Sequence, residues 1–248
     1  ALDIRVNRSL VCYNKHVSKE QQGENFMHEY LDRKSSVEAI KSIKSLFSDL
    51  SGVYRKYGIN IEQDVGRKNI LISAAQEHFF AKAIADVVGE CSNDGRTGMA
   101  DIIIDSLDDR EVECKVLCQG KKGSWSLQAD KASLERKGSC DFLYLLFDRT
   151  HENVALFLFP DLTPEDFADP SPGSRGKSRL KKSSAFKKCK PIIGGFTNLR
   201  EEWIKKYSLQ AKNAKSLTHK KKAEQKVNMW YNKPDSYNIQ LESVNELI

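Results

Sequence analysis

The chain has 248 residues, 40% of them hydrophobic and 30% charged, with a formal net charge of +6. That is enough chain to bury a substantial core, and no apolar run approaches the roughly 20 residues that cross a bilayer. Composition therefore excludes a disordered chain and a helical membrane protein.

The opening stretch "ALDIRVNRSLVCYNKHVSKE" lacks the apolar centre of a secretory leader, which predicts an intracellular protein. Six cysteines are scattered at Cys12, Cys91, Cys114, Cys118, Cys140 and Cys189, without a C-x-x-C pair. That pattern supports neither a zinc site nor a disulfide framework, and reads as small buried side chains.

Residues 36–57 place Val37, Ile40, Ile43, Phe47, Leu50 and Tyr54 at helical spacing, with Ser35 and Glu38 as a capping box and Gly58 as a stop. A second helix is predicted over 73–88, capped by Ser73 and Gln76 and ended by Gly89. Glu77 lies on its apolar stripe, three residues before Phe80 and seven before Ile84. Either the dipole of the first turn favours a carboxylate there, or Glu77 has a chemical task.

"NDGRTG" (93–98) reads as a loop, and "ADIIIDSL" and "REVECKVL" as the two strands of a hairpin. The basic loop "QGKKGSW" (119–125) precedes a short helix over 127–138. "CDFLYLLFD" (140–148) is continuous apolar sequence, the mark of a strand buried on both faces, and "NVALFLFP" (153–160) is a further strand broken by Pro160. Helices alternating with strands predict an α/β fold, a mixed central sheet flanked by helices.

Charge is uneven. Residues 1–172 hold 22 Lys/Arg against 28 Asp/Glu, whereas 173–248 hold 18 against 6. The division is into a core with N-terminal helices (1–172) and a basic loop with a helical C-terminal region (173–248) within one domain. Residues 169–190 read as a mobile loop, and 197–230 resume helical patterning. The basic third faces a polyanion or is a solvated lysine-rich surface.

The hairpin carries the chemistry. Side chains alternate along a strand, so Val112, Cys114 and Val116 share one face while Glu111, Glu113 and Lys115 share the other. Matching apolar faces puts Asp101 beside Glu113 and Lys115, and Asp105 on the same side. This needs paired positions that sum to an even number, hence an odd loop centred on Leu107 or Asp108, or else a bulge. A two-residue turn at Asp108-Asp109 would throw Asp101 to the opposite face. The hairpin is either half-exposed with a weak Glu113–Lys115 surface pair, or two carboxylates holding a hard divalent cation beside a lysine.

The pattern D-x11-E-C-K of Asp101, Glu113, Cys114 and Lys115, with an acidic helix before it and a helix and buried strand after it, resembles the PD-(D/E)xK nuclease superfamily, most of all its type II restriction endonucleases. The usual proline before the Asp is replaced by Ala100. The resemblance covers roughly residues 70–160 and implies a Mg²⁺-dependent endonuclease acting on double-stranded DNA, a sequence-specific homodimer of the prokaryotic cytoplasm.

It further implies that Asp101, Glu113 and Glu77 hold metal, that Lys115 orients or deprotonates the attacking water, and that the two carboxylates have raised, coupled pKa values without metal. Gln119, Lys121, Lys122, Ser124 and Trp125, and the basic residues Arg175, Lys177, Arg179, Lys181, Lys182, Lys187 and Lys188, are the candidate DNA contacts. The alternatives are a repair or recombination nuclease of the same superfamily, and a non-catalytic basic nucleic-acid-binding protein.

Overall fold

The computed structural model describes residues 29–93, 99–120, 123–233 and 235–247. Helix α1 (Arg33–Lys56) begins at Asp32, whose carboxylate accepts the Ser35 amide, three residues before the expected cap. Glu38 instead binds Lys41 on the helix surface. Gly58, at φ +72°, follows the helix as expected.

Helix α2 (Val65–Val88) is two turns longer than its apolar pattern indicates. Asp64 caps it, so Ser73 and Glu77 lie mid-helix, where the Ser73 hydroxyl donates to Glu77 at 3.4 Å. Glu77 is thus far beyond the first turn, and the dipole account of this carboxylate does not apply. Gly66 and the exposed Ile70 dilute the amphipathic signal in those first two turns.

Strands β1 (Ile102–Ile104) and β2 (Arg110–Cys118) form the hairpin. β3 (Gln128–Asp130) and α3 (Lys131–Lys137) lead to β4 (Cys140–Phe147), which runs parallel to β2. β5 (Asn153–Leu162) returns antiparallel to β4. The sheet is ordered β1-β2-β4-β5-β10, where β10 is Glu242–Ser243, and β7 (Lys190–Ile193) also pairs with β5. It is a mixed sheet with helices packed on it, as expected.

Every residue of β4 is buried. Leu143 and Leu145 face Ile40, Ile43, Phe80 and Ile84 of the two long helices. Phe142, Tyr144 and Leu146 enter a second cluster with Trp125, Leu134, Phe157 and Phe186. Each such side chain contributes about 1.5–3 kcal/mol through burial. Pro160 does not break β5. It falls where the β4–β5 register shifts, a bulge that tolerates its missing N–H, and pairing resumes at Leu162.

The expected mobile loop over 169–190 is instead structured. β6 (Lys177–Arg179) pairs with β3, and α4 (Lys182–Lys188) buries Ala185 and Phe186. Phe186 stacks on Tyr237 at 4.4 Å and meets Phe159 edge-on at 5.4 Å. Leu180, Ala185 and Phe186 are too few to dominate a basic sequence, yet all three are buried.

β8 (Gly195–Asn198) precedes α5 (Leu199–Lys212) and α6 (Leu217–Tyr231), which pack together with Trp203 stacked on Trp230. β9 (Tyr237–Gln240) pairs with β8, and α7 (Val244–Leu247) follows β10. Thus β7 and β10, both from beyond residue 172, join β5. No described helix is long and apolar enough to cross a membrane.

Candidate active site

The hairpin register decides where Asp101 lies. Ile102 pairs with Val112, Ile103 with Glu111 and Ile104 with Arg110. The paired positions sum to an even number, and the connection is the odd loop centred on Leu107. A 3-10 turn over Asp105–Leu107 leads into Asp108 and Asp109, both left-handed at φ 52° and 55°. Asp tolerates that conformation better than most residues, so the sequence can close this loop without a glycine. Ile102, Ile104, Val112 and Cys114 then share the apolar cluster under α1 and α2.

β1 starts at Ile102, and the Asp101 side chain takes over the ladder there. Its carboxylate accepts the backbone N–H of Cys114 at 2.7 Å. The Lys115 ammonium lies 3.4 Å from the same carboxylate oxygen, 2.9 Å from Glu113 Oε2 and 2.9 Å from the Cys114 carbonyl oxygen. Three oxygens from three residues therefore converge on one cation. The side chains are 25% (Asp101), 19% (Glu113) and 31% (Lys115) exposed, which is not the water-facing surface of an outer hairpin.

Helix α3 adds a second cation, Lys137, which donates to Glu113 Oε1 at 3.0 Å and pairs with Glu111 at 2.8 Å. Two ammonium groups on one carboxylate explain why the two acids do not titrate alike. Burial raises the pKa of Asp101, Lys115 opposes the rise and the Glu113 charge adds to it, leaving Asp101 above its ordinary value. Burial also pushes Glu113 upward, but Lys115 and Lys137 outweigh it and hold Glu113 below its ordinary value. The expectation of two raised carboxylates is therefore corrected for Glu113. The two acids and its desolvation pull Lys115 in opposite directions, and the acids win, so it stays a firm cation.

Glu77 is half-buried and makes no direct bond to this cluster. Its pKa is raised by burial and then by the nearby Asp101 charge. Its neighbour Gln76 is fully buried and donates to the Leu143 carbonyl at 3.0 Å. Asp105 is exposed at the loop and makes no contact with the cluster. Among the described residues, no three His, Cys, Asp or Glu side chains form a ready metal-ligating group.

The candidate DNA contacts divide by environment. Trp125 is buried, and its indole N–H donates to the Phe147 carbonyl at 2.9 Å, so it is a core anchor rather than a group that reads base edges. Gln119 spends its amide on the Gly123 carbonyl, and Ser124 is exposed. Lys121 and Lys122 lie outside the described residues. Arg175, Lys177, Arg179, Lys181 and Lys187 are exposed and Lys182 is partly so. Lys188 is committed elsewhere, at 2.7 Å from the buried Asp166 and 2.8 Å from the Asp161 carbonyl.

Two features were not read from the sequence. One is Lys137, whose only signal was a cation in the last turn of a short helix. The other is Asp141, buried at the start of β4, which accepts from Tyr30, from Arg110 through two nitrogens, and from the Asp161 amide. Arg110 leads into the strand that carries Glu113, so this hub fixes the start of β2.

Compared with known proteins, the chain matches no family model, no curated protein and no solved structure.

Proposed function

We propose that the chain is a metal-dependent endonuclease of the PD-(D/E)xK kind, hydrolysing phosphodiester bonds of double-stranded DNA. The observation that carries this reading is the hairpin register, which sets Asp101 opposite Glu113 with Lys115 bonded to both. The donor set fits a hard cation such as Mg²⁺, because two carboxylates and the Cys114 carbonyl offer only oxygen ligands. Asp101 and Glu113 would hold the ion, with Glu77 reaching a second ion or its water.

When bound, Mg²⁺ acidifies water and offsets charge developing on the phosphate. The task of Lys115 is to leave the oxygens it now bridges and to hold a water or a phosphate oxygen in line. Lys137 keeps Glu113 ionised and oriented throughout, and Asp101 is kept in place by the Cys114 N–H.

A specific observation also favours the non-catalytic nucleic-acid-binding reading. The converging oxygens are satisfied by the protein's own ammonium groups, an arrangement that is complete without metal. Incubating the full chain with a plasmid and a phage genome, with Mg²⁺ or with a chelator, separates the readings. Discrete Mg²⁺-dependent fragments support a sequence-specific restriction enzyme, for which a homodimer on a palindromic site is the natural symmetry. A smear or structure-dependent cutting supports a repair or recombination nuclease. Salt-sensitive retardation without cutting supports the binding protein.

Glu77→Gln is expected to lower cleavage and raise the Mg²⁺ concentration needed, with thermal stability unchanged or slightly increased, since a desolvated carboxylate is removed. Parallel loss of stability and activity would mean that Glu77 serves packing alone.

Reversing Arg175, Lys177, Arg179, Lys181 and Lys187 to Glu should weaken binding to all duplexes alike. Each lost phosphate contact should flatten the log–log salt dependence by about 0.9. An unchanged slope would put the DNA elsewhere. Lys188 is left intact in this test because its reversal would set a carboxylate against Asp166.

A further inference from the structure

A cleft of about 370 Å³ opens between α1, α2 and the turn that joins β4 to β5, and it holds charge without a partner. Lys68 lines it, 6% exposed, from the end of the first turn of α2. Its ammonium lies over the Phe47 ring at 5.2 Å and has no hydrogen bond or ion pair with any described residue. Across the cleft the Ser51 hydroxyl is buried without a hydrogen-bond partner, and the buried His151 ring has at most a weak bond to the Arg149 backbone.

These groups are held in place. Asp148 accepts from the Glu152 amide, the Asn153 side chain and the Thr150 hydroxyl, which pins the turn. His151 sits there at φ 63° with its ring stacked 4.9 Å from Phe147. A buried polar group without a partner costs about 1–3 kcal/mol, and such atoms on Ser51 and His151, beside a Lys68 ammonium without an ion pair, call for an occupant that satisfies them.

The charge count fixes the occupant's sign. The cleft is lined by three cations, Lys44, Arg55 and Lys68, and two acids, Glu62 and Glu152. Arg55 is paired with Glu62, Lys44 donates to the neutral Asn245, and Glu152 shares the Thr150 hydroxyl with Asp148, which leaves the cleft lining one positive charge in excess. Lys68 makes no ion pair with a described residue, and burial lowers its pKa although the Glu62 and Asp148 charges pull it back up. His151 is pushed down to about 4, first by burial and then by Lys68, so it enters as a neutral ring able to donate one N–H. The remaining walls are apolar, from Ile40, Ile43, Phe47, Ile72 and Val244.

We propose that this cleft binds a small organic monoanion, a carboxylic acid on an apolar or aromatic body, with the carboxylate on Lys68, Ser51 and His151 and the body against the apolar walls. The volume suits a ligand of this size. Lys68 and Glu77 are nine residues apart on α2, about 14 Å along its axis, so this site is separate from the hairpin cluster.

The test is a titration of the full chain with benzoate and, as its neutral isostere, benzamide, read by calorimetry and by thermal shift. Saturable benzoate binding that weakens at least tenfold in Lys68→Met and in Ser51→Ala, with no benzamide binding, is the expected result. Lys68→Met keeps the length of the stem and removes a desolvated charge, so the variant should fold, which its circular dichroism checks. Absence of saturation, equal binding of benzamide, or benzoate affinity unchanged in both variants would overturn the proposal. Lys68-dependent saturation by inorganic phosphate in place of benzoate would overturn the organic-acid assignment.

Discussion

Replacing Asp101 with Asn, or Lys115 with Ala, is expected to abolish Mg²⁺-dependent cleavage while sparing DNA binding. A loss of at least 10²–10⁴-fold is the scale set by general acid–base catalysis alone. Asp101→Asn removes a like charge beside phosphate and should hold DNA as well or more tightly. Lys115→Ala removes one cation among many. Cleavage by Lys115→Ala at the wild-type rate would remove the hairpin from the mechanism.

The stability of the Asp101 variant adds a second readout. The folded state raises the pKa of Asp101, so folding is favoured when the group is protonated and loses stability as pH rises from the ordinary Asp value through the raised one. Asn escapes that loss and can still accept the Cys114 N–H. Asp101→Asn should therefore unfold at the same temperature as the parent or higher at neutral pH, with any gain vanishing in acid. Glu113 runs the other way, since its lowered pKa contributes stability above the ordinary Glu value that is lost as pH falls through the folded one.

The largest loss of stability is expected at Asp141→Ala. Its carboxylate is 2% exposed and holds Arg110 and Tyr30 at the start of the central strands. Arg110 keeps Glu29 and Asp161, so the cost comes from taking an acceptor away from the buried Tyr30 hydroxyl and from the Asp161 amide, at about 1–3 kcal/mol each. For a chain of this size that corresponds to a fall in Tm of roughly 10 °C. Urea unfolding should show a lower midpoint, and a change below 1 kcal/mol would mean that water replaces Asp141 at little cost.

The parts of this structure that were legible in the sequence are those where one face or both faces of a strand are dry. The run Cys140–Phe147 had no polar side for water, so its position in the middle of the sheet was readable. Side-chain parity in Arg110–Cys118 put Asp101 on the face of Glu113 and Lys115 and limited the hairpin to an odd loop at Leu107 or Asp108 or a bulge, of which the structure has the Leu107 loop. What was illegible depended on distant partners. Lys137 reaches Glu113 across 24 positions, and nothing local marks it. Trp125 looked available in a glycine-rich loop but is buried against β4. Residues 175–190 looked loose because eight cations hide the few apolar positions that fix them.

The hairpin strands are of unequal length. β2 runs nine residues, and β1 covers only Arg110, Glu111 and Val112 of it. Among the described residues no strand lies against the remainder on that side. A bare strand edge is a template for another chain, and natural proteins guard such edges with charged side chains. On this stretch the Cys114 N–H is already taken by the Asp101 carboxylate, so a strand added here from another chain would first have to displace Asp101.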